Sequence, residues 1–513
     1  MTTWKLHKGH YIWSGQLPDS VLQTVKLDEA KKDGQVIGYA CQANVMTFRA
    51  LRELGMTVPS PTADPQWQWL GQHKPMRHQR KTVASMIAHE RSFVLDDPGT
   101  GKTLAALWGL DAMRRAGNVK RCLIIAPLSI VHGVWWDELF LTTQWRCADL
   151  TKRSRERRLQ MVKDSRNEVL LINPESLTSI SDIIDVDAVI VDEFTAFKSP
   201  SAQRSKALKS LLDRNKPWTV LMSGTPAPQG PADAYFPIKM VNPKAARMTK
   251  RLWQDMTEIR ISEFTWVPKK DAQDTLTKWL QPGTRTSRDE ALDLPTLQTL
   301  ERRYPLTKAQ DKAIKQMKEE AAADTDEGTI TAANAAVAAS KMLQILTGHV
   351  RMVDPKTEEQ ISFNLDAKTW FEAIEEIIDE RHRPVLIFVP FRAAARAVGE
   401  HLGCPVVMGD TPRDDRAQIY RDINEGNVKA VVAVAATMSH GLTLTGSNCV
   451  LWALPPTSAE QYQQANARVY RKGQSKPVDI IHLVGHSFVQ ALFARTDKRV
   501  KLQQAVLDAL AVM

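Results

Sequence analysis

The stretch SFVLDDPGTGKT, residues 92–103, decides the fold of the chain. A short apolar run ends in two aspartates and a turn with two glycines, and the helix-forming run LAALWGLDAMRR follows directly. This order predicts a buried strand, a loop and a helix, which is the setting of a phosphate-binding loop. The pattern departs from G-x-x-x-x-G-K-[ST] at its first position, where Asp96 stands. A glycine-rich turn that merely enters a helix is the alternative.

The residues of this loop are typical of a site for a nucleotide and a metal ion. Gly99 and Gly101 would let backbone amides approach phosphates, and Thr100 between them belongs to the same contact surface. Lys102 would reach the β- and γ-phosphates, and Thr103 would hold Mg²⁺. ATP and Mg²⁺ are therefore the predicted cofactors.

Two adjacent carboxylates close a later strand, AVIVDEF. Asp192 and Glu193 come at its carboxyl end, where a neighbouring strand of the same sheet would deliver them to the loop. Adjacent carboxylates are costly to hold together without a cation. Asp192 is predicted to bind Mg²⁺, and Glu193 to orient or deprotonate the attacking water. A solvated acidic strand end is the alternative.

A helix in the second half, EQYQQANARVYRK, carries the remaining catalytic candidates. Thr457 and Glu460 have the spacing of a capping box that would open this helix, and a glycine would end it. Gln464, Arg468 and Arg471 stand at offsets of 0, 4 and 7, which predicts one shared helix face. Two arginines supplied from a second lobe would stabilise the charge that develops on a γ-phosphate. A solvated basic face is the alternative.

Short apolar strands alternate with amphipathic helices twice along the chain. The first series covers residues 66–292, and the second, from PVLIFVP to DIIHLV, lies within residues 293–513. Repeated strand-then-helix order predicts parallel sheets with crossover helices, so the expected fold class is α/β. Residues 1–65 are predicted to form a small α+β accessory domain that ends in the proline-punctuated segment 58–65. The stretch near 300–380 is predicted to be a helical insert of the second lobe.

Composition is that of an ordinary globular protein. Hydrophobic residues make up 43% and charged residues 25%, and no apolar run approaches the roughly 20 residues of a membrane helix. Five scattered cysteines without a C-x-x-C pair are predicted to be reduced, packed thiols. The formal charge of +10 favours a polyanionic partner, nucleic acid first, although a basic surface can also serve solubility.

Taken together, these motifs resemble those of the Swi/Snf-related DNA translocases of helicase superfamily 2. DDPGTGKT is similar to motif I of that family, DEFTAFK (192–198) to motif II and QANARVYRKGQ (464–474) to motif VI. Weaker matches stand in the family's order at PMRHQ, IAPLSIV, LINPESL, LMSGTPAP, PVLIFV and HGLTLTGSN. Thr195 replaces the usual His of motif II, and Ala467 replaces the frequent Asp of motif VI. The coupling between hydrolysis and DNA contacts is therefore expected to differ in detail.

The resemblance implies two RecA-like lobes that hydrolyse ATP between them and move along duplex or branched DNA, tracking one strand 3′ to 5′. It also implies that Arg77 and Gln79 recognise adenine, and that Ser129, Thr443 and Thr445 contact DNA phosphates. DNA is thus the expected partner. Short insertions make the chain similar to compact bacterial or phage members, which act in the cytoplasm.

Three other interpretations stay open. An RNA-directed ATPase would share both lobes, because the residues that read a 2′-hydroxyl cannot be seen in sequence. A non-catalytic ATP-binding scaffold would leave the catalytic residues idle. A motor subunit of a restriction or repair complex would need a separate nuclease, since no PD…ExK signature is evident. The N-terminal unit is expected to select DNA structure rather than to power movement.

Overall fold

The computed structural model of the chain divides into two compact units. It describes residues 3–261, 266–291, 294–323, 340–353, 360–437 and 443–497. The boundary between the units falls between residues 292 and 293. Each unit is built around its own parallel sheet, flanked by helices, so the predicted α/β class is confirmed.

The first unit contains thirteen strands among its described residues. They are β1 (Lys5–His7), β2 (His10–Ser14), β3 (Asp28–Lys32), β4 (Gln35–Gln42), β5 (Arg91–Val94), β6 (Cys122–Ile125), β7 (Cys147–Asp149), β8 (Val169–Ile172), β9 (Ala188–Asp192), β10 (Trp218–Met222), β11 (Glu258–Arg260), β12 (Trp266–Pro268) and β13 (Gly283–Thr284). Its α-helices are α1 (Asp19–Thr24), α2 (Val45–Glu53), α3 (Arg77–Ala88), α4 (Lys102–Arg115), α5 (Leu128–Ile130), α6 (Asp137–Thr142), α7 (Arg155–Lys163), α8 (Gln203–Asn215), α9 (Tyr235–Val241), α10 (Lys250–Thr257), α11 (Ala272–Trp279) and α12 (Arg288–Ala291).

The central sheet of this unit runs in the order β13-β5-β10-β9-β6-β8-β7, with every pair parallel. Strands β6, β8, β9 and β10 are largely apolar and buried, and β5 is buried from Ser92 onward, because helices cover both faces of a parallel sheet. Their carboxyl ends meet at one edge. The ends of β5, β10 and β9 lie side by side there, which brings three of the predicted motifs together.

Residues before the central sheet form a smaller layer, an antiparallel sheet of order β1-β2-β4-β3 with α2 beside it. Tyr11 and Phe48 belong to the same hydrophobic core as Val83 of α3. The proline-punctuated segment 58–65 is packed as well, since the Tyr11 hydroxyl donates to the Pro59 carbonyl at 2.8 Å. This segment is therefore part of a continuous core and not an exposed spacer.

The second unit holds eight strands among its described residues. They are β14 (Leu297–Arg303), β15 (His349–Val353), β16 (Gln360–Asn364), β17 (Val385–Val389), β18 (Val406–Val407), β19 (Ala430–Val434), β20 (Cys449–Trp452) and β21 (Val478–Val484). Its α-helices include α13 (Lys308–Ala323), α14 (Lys368–Asp379), α15 (Arg392–Leu402), α16 (Arg413–Glu425) and α17 (Ala459–Val469). The parallel sheet has the order β14-β21-β20-β17-β19-β18.

The predicted helical insert near 300–380 is only partly helical. Strand β14 pairs with β21 along its whole length, from Leu297 opposite Val478 to Arg303 opposite Val484. Six of its seven side chains are exposed, so this edge strand supplies backbone hydrogen bonds without an apolar pattern that sequence could reveal. Strands β15 and β16 form an antiparallel hairpin in the same stretch. Residues 324–339 of the alanine-rich segment lie outside the described residues.

All five cysteines are free thiols that are buried or half-buried, as predicted. Within the described ranges, no helix has both the length and the apolarity that a membrane crossing requires.

Candidate active site

The loop between β5 and α4 has the conformation that the sequence predicts. Gly99 and Gly101 adopt positive φ angles of 89° and 83°, which side-chain-bearing residues rarely tolerate. A Cβ atom on Gly101 would lie 2.3 Å from Nε2 of Gln79, so space excludes a larger residue as well. The two glycines thus permit a tight loop whose backbone faces the start of α4.

Lys102 is the first residue of α4, and its ammonium group points back into the loop. Nζ donates to the carbonyl oxygens of Asp96 at 2.8 Å and Asp97 at 3.2 Å. Thr103 follows on the first turn and is half-buried, and the buried Thr100 hydroxyl donates to the Asp97 carbonyl at 2.8 Å. Phosphate oxygens bound by this loop would compete with the two carbonyls for the same ammonium group.

Asp96, the departure from the common loop pattern, has a structural explanation. Its carboxylate is fully buried beneath the loop and accepts a hydrogen bond from the Thr82 hydroxyl of α3 at 2.8 Å. Burial raises the pKa of Asp96, while the Thr82 hydrogen bond and the Lys102 charge oppose that rise. The side chain that replaces glycine therefore fastens the loop to α3.

Helix α3 contacts the loop through residues near its start. Gln79 is buried; its Oε1 accepts from the Met76 backbone at 2.9 Å, and its Nε2 donates to the carbonyls of Thr100 and Gly101 at 3.3 Å each. Nε2 of His78, which the sequence analysis did not select, lies 2.9 Å from the Thr100 carbonyl. Arg77 is exposed on the first helical turn. Gln79 thus orders the phosphate loop itself, in addition to its predicted place beside adenine.

The acidic pair lies at the carboxyl end of β9, two strands from β5. Glu193 has a left-handed backbone, with φ of 53°, which is uncommon for a residue with a side chain. The Ser223 hydroxyl, at the end of the intervening β10, donates to Oε2 of Glu193 at 2.9 Å. Gly224 then packs against the loop, because an added Cβ atom would meet Pro98 at 2.7 Å. The β10 turn, Ser223–Gly224, therefore contacts both the acidic pair and the phosphate loop.

Trp135 is a second contact that sequence analysis missed. Its indole Nε1 donates to Oδ2 of Asp192 at 2.9 Å, and both side chains are buried. Trp135 lies in a π-helical turn, Val131–Trp136, and such turns are rare and frequently occur at functional sites. The extra residue per turn aims this tryptophan at the acidic pair. A π-helical turn leaves no sequence pattern that could have shown it.

The helix predicted to carry the arginines is shorter than its sequence suggests. Helix α17 begins after Ser458, whose hydroxyl accepts from the Gln461 backbone at 3.1 Å, so the capping box predicted at Thr457 is wrong. The helix ends at Val469, because Tyr470 leaves the helical conformation, with φ of −90° and ψ of 83°. The Gln474 side chain donates to the Val469 carbonyl at 3.3 Å, just beyond the last helical turn. Arg471 therefore lies in the following turn.

The single helical face predicted for the three residues is therefore incorrect. Gln464 and Arg468 are buried on α17, where Nε of Arg468 donates to the Gln464 carbonyl at 3.1 Å. Arg471 is half-buried beyond the helix end, and its carbonyl accepts from the Gln474 backbone at 3.0 Å. Arg471 is thus positioned by a turn and not by helical spacing.

The predicted DNA contacts lie in both units. Ser129 is exposed on the short helix α5, directly after β6. In the second unit, Thr443 is exposed and Thr445 half-buried in the segment before β20, and the Leu444 backbone donates to the Arg468 carbonyl at 2.9 Å. The segment with the two threonines is thus joined to α17 at Arg468, the candidate arginine that the helix carries.

Two known domain families match most of the chain. A model of the SNF2-related domain matches residues 78–354, and one of the helicase conserved C-terminal domain matches residues 370–473. The chain is 25% identical to protein p41 of Acyrthosiphon pisum secondary endosymbiont phage 1, over 85% of this chain and 98% of that protein.

Two further matches, one to a longer protein and one to a solved structure, each cover most of the chain. A SWI/SNF-related matrix-associated actin-dependent regulator of chromatin subfamily A-like protein 1 of Xenopus tropicalis is 24% identical over 80% of this chain, which spans only 42% of that protein. The solved SWI2/SNF2 ATPase core of Sulfolobus solfataricus in complex with dsDNA aligns with 87% of this chain and 96% of that chain, at 19% identity and a TM-score of 0.41. Since the SNF2-related domain alone covers more than half of its residues, the chain belongs to the SNF2-related family and is a DNA-dependent ATPase of the helicase type.

Proposed function

We propose that this chain hydrolyses ATP to translocate along duplex or branched DNA. The observation that carries the proposal is the connected network at the carboxyl edge of the first sheet. The phosphate loop, the β10 turn and the acidic pair are linked through Ser223, which bonds Glu193, and Gly224, which packs on Pro98. A nucleotide on the loop would lie beside the carboxylates that hydrolysis requires.

Each residue of the network has a separate proposed role. Lys102 would neutralise the β- and γ-phosphates, which bind in place of the carbonyls that now accept its hydrogen bonds. The Ser223 hydrogen bond holds the Glu193 carboxylate in place, so that this carboxylate can orient the attacking water and accept its proton. Gln79 keeps the loop backbone in the conformation in which its amides can bind phosphate.

The residues present fit a magnesium ion. Mg²⁺ prefers oxygen ligands, with one or two from the protein and others from phosphate and water. Asp192 offers a carboxylate whose Oδ2 accepts from Trp135, and Thr103 offers a hydroxyl on the first turn of α4. Held by Asp192 and Thr103, the ion would supply positive charge that neutralises the negative charge developing during phosphoryl transfer.

The second unit would supply the arginines. Arg468 and Arg471 are proposed to stabilise the transition state, and Gln464 to align α17 against the nucleotide. A guanidinium that engages only when the nucleotide site closes would make turnover depend on lobe movement. Leu444 lies between Thr443 and Thr445, and its backbone bonds the Arg468 carbonyl. DNA contact at these threonines would therefore act directly on α17.

The partner is proposed to be DNA and not RNA, because the SNF2-related match covers the larger part of the chain. Ser129, Thr443 and Thr445 would contact phosphates, and the charge of +10 would strengthen this contact at low salt. Residues 1–65 are proposed to select among DNA structures as an accessory domain, with the motor lobes at 66–292 and 293–513.

The test is an ATPase assay on duplex, forked, four-way and single-stranded DNA, with matched RNA. We expect duplex or branched DNA to stimulate turnover at least tenfold more than RNA. Stimulation by RNA alone would establish the RNA-directed alternative. No ATP turnover above background with any of these nucleic acids would favour the non-catalytic ATP-binding scaffold.

A second measurement tests the catalytic assignment. Glu193→Gln should bind ATP and Mg²⁺ but lose about a hundredfold or more in turnover, because the general base is removed while Asp192 remains. ATP should then accumulate on the protein in a filter-binding assay. The control Glu90→Gln changes an exposed carboxylate at the amino end of β5 and should turn over normally. Normal hydrolysis by Glu193→Gln would place the base elsewhere.

A further inference from the structure

The segment that leaves the first unit runs beside the phosphate loop. Strand β13 extends the sheet next to β5, and the pairing continues past both strands. The Leu95 backbone donates to the Thr284 carbonyl at 2.8 Å, and the Asp97 backbone donates to the Thr286 carbonyl at 3.1 Å. Residues 282–286 therefore pair with β5 and continue to pair beyond its end, as far as Asp97 in the phosphate loop.

Arg285 lies at the centre of this pairing. Its side chain has no exposed surface, and Nη1 donates to Oδ1 of Asp97 at 2.8 Å. The same nitrogen lies 3.0 Å from the Leu95 carbonyl and 3.1 Å from the Thr286 carbonyl. Its Nε and Nη2 atoms have no hydrogen-bond partner within the part of the chain that the structure describes. A fully buried guanidinium with unpaired N–H groups is expensive.

Asp97 joins this arginine to the next residues of the segment. While Oδ1 binds Arg285, Oδ2 accepts from the Arg288 backbone at 2.8 Å. Nε of Arg288 in turn donates to the Pro98 carbonyl at 3.2 Å. Burial alone would raise the pKa of Asp97, but the charges of Arg285 and Arg288 outweigh it and lower the pKa. The carboxylate is therefore ionised, and its two oxygens accept hydrogen bonds from two residues of the exit segment, residues 282–291.

We infer that Arg285 and Asp97 form a positioning pair that couples occupancy of the phosphate loop to residues 286–291, where the chain leaves the first unit. The inference rests on the proposed ATP site. Lys102 now binds the Asp97 carbonyl, and a bound phosphate would withdraw that ammonium group. The backbone and the carboxylate of Asp97 are fastened to the exit segment, so a change at Asp97 reaches Thr286 and Arg288 directly.

A purely structural role does not account for the guanidinium. An apolar side chain of similar volume would fill the position without unpaired N–H groups, and such replacements are often neutral or stabilising. What an apolar residue cannot supply is a bond to the loop carboxylate. The chemistry of Arg285 is thus matched to Asp97 and not to the surrounding core.

The test is hydrogen exchange of the full chain with and without a non-hydrolysable ATP analogue and Mg²⁺. In the wild-type protein we expect the analogue to slow exchange in peptides that cover both 96–103 and 283–291. In Asp97→Asn, which keeps the shape of the side chain, protection of 96–103 should persist while that of 283–291 is lost. Arg285→Gln should behave in the same way, and the double variant should be no worse than either single variant.

Kinetics supply the second readout. Each variant should bind the analogue within about threefold of wild type but lose about tenfold in DNA-stimulated kcat, because the pair transmits occupancy and does not touch the nucleotide. The control Glu168→Gln breaks the ion pair with Arg114, at the amino edge of the sheet, and should leave both measurements unchanged. If Arg285→Gln does not fold, Asp97→Asn alone decides.

Two outcomes would contradict the inference, and a third would contradict its basis. The inference is wrong if the analogue still slows exchange of 283–291 in Asp97→Asn. It is also wrong if the analogue slows exchange of 96–103 but not of 283–291 in the wild-type protein. A wild-type protein that binds no analogue and protects neither peptide would refute the proposed ATP site itself.

Discussion

The phosphate side and the arginine side of the proposed active site are built differently. In the first unit, side-chain hydrogen bonds fix three candidate residues. Lys102 and Gln79 donate to carbonyls of the phosphate loop, and Glu193 accepts from Ser223. In the second unit, Arg468 is fixed on α17, but Arg471 follows the helix end, in a turn that Gln474 stabilises. The difference separates two tasks. Under the proposed function, the first unit would bind the nucleotide before reaction, and the second would supply charge that acts during reaction.

The support beneath α17 differs as well. The helix packs on an aromatic stack in which Tyr462 contacts Trp452 on one side and His482 on the other, with ring centroids 5.2 and 5.6 Å apart. His482 in turn stacks on Phe493 at 4.0 Å. The phosphate loop is instead fastened by charged and polar groups such as Asp96 and Arg285. Substitutions at the two sides should therefore have different effects on turnover, ligand affinity and stability.

The largest effect is expected for Lys102→Ala, which should reduce ATP turnover to the limit of detection. The lost ammonium group acts on phosphates and on two loop carbonyls, and it supports no core. Thermal stability and DNA affinity should stay close to wild type. The control Lys120→Ala removes an exposed lysine of the same unit. Retention of more than about a tenth of wild-type turnover would refute the phosphate-loop assignment.

Arg471→Ala should come next, with a loss of about a thousandfold in DNA-stimulated turnover and far less in nucleotide affinity. Arg471→Lys should rescue poorly, because an ammonium group does not reproduce the planar, multi-donor guanidinium. Affinity and turnover are measured separately, with and without DNA. The control Arg495→Ala changes an exposed arginine of the same unit. Normal turnover in Arg471→Ala would mean that the two units do not share one active site.

Much of this organisation could be predicted from sequence because the strands that carry the site are continuous apolar runs. Strand β9 has that pattern, and the apolar run Phe93–Leu95 closes β5 in the same way, with charged residues directly after both runs. Strand β14 could not be predicted in this way, since its side chains are exposed and its role is backbone pairing. Edge strands β7 and β13, of three and two residues, are too short for any periodicity.

Within the candidate site, the sequence predicted residues for ligand contact but not the side chains that hold those residues in place. Trp135, His78 and Arg285 are distant in sequence from the groups they contact, and no motif joins them. The end of α17 was predicted too late, because Tyr470 leaves the helical conformation three residues before the glycine that was expected to end the helix. The Gln474 side chain then bonds the Val469 carbonyl, a contact that helix propensity does not reveal.

Trp135→Phe is expected to have an intermediate effect and tests how firmly the metal side is organised. It removes the indole donor to Asp192 but keeps an aromatic ring in the core. Since hydrogen bonds to charged groups contribute about 1.5–3 kcal/mol, the Mg²⁺ concentration for half-maximal nucleotide binding should rise about tenfold. The half-buried neighbour Trp136, changed to Phe, is the matched control. An unchanged Mg²⁺ requirement would show that Trp135 does not position Asp192.

The last prediction concerns acid, which should weaken the arginine side through His482. Burial lowers the pKa of His482 from 6.5 to about 4. The folded protein therefore binds fewer protons than the unfolded chain between these two pH values, and stability falls as pH decreases from about 6.5 to about 4. The loss should reach about 3 kcal/mol and then level off, because below pH 4 both states carry the proton.

Chemical denaturation of the full chain between pH 7 and pH 4 measures this loss, with hydrogen exchange of 478–484 reporting on the second unit. His482→Gln cannot gain a proton and still offers a hydrogen-bonding group to the Tyr462 hydroxyl, which lies 2.8 Å from the histidine nitrogen. This variant should flatten the pH dependence of exchange in 478–484, whereas His382→Gln, at an exposed position of the same unit, should not. If both variants keep the wild-type pH profile, the acid sensitivity of the second unit arises from groups other than the aromatic stack beneath α17.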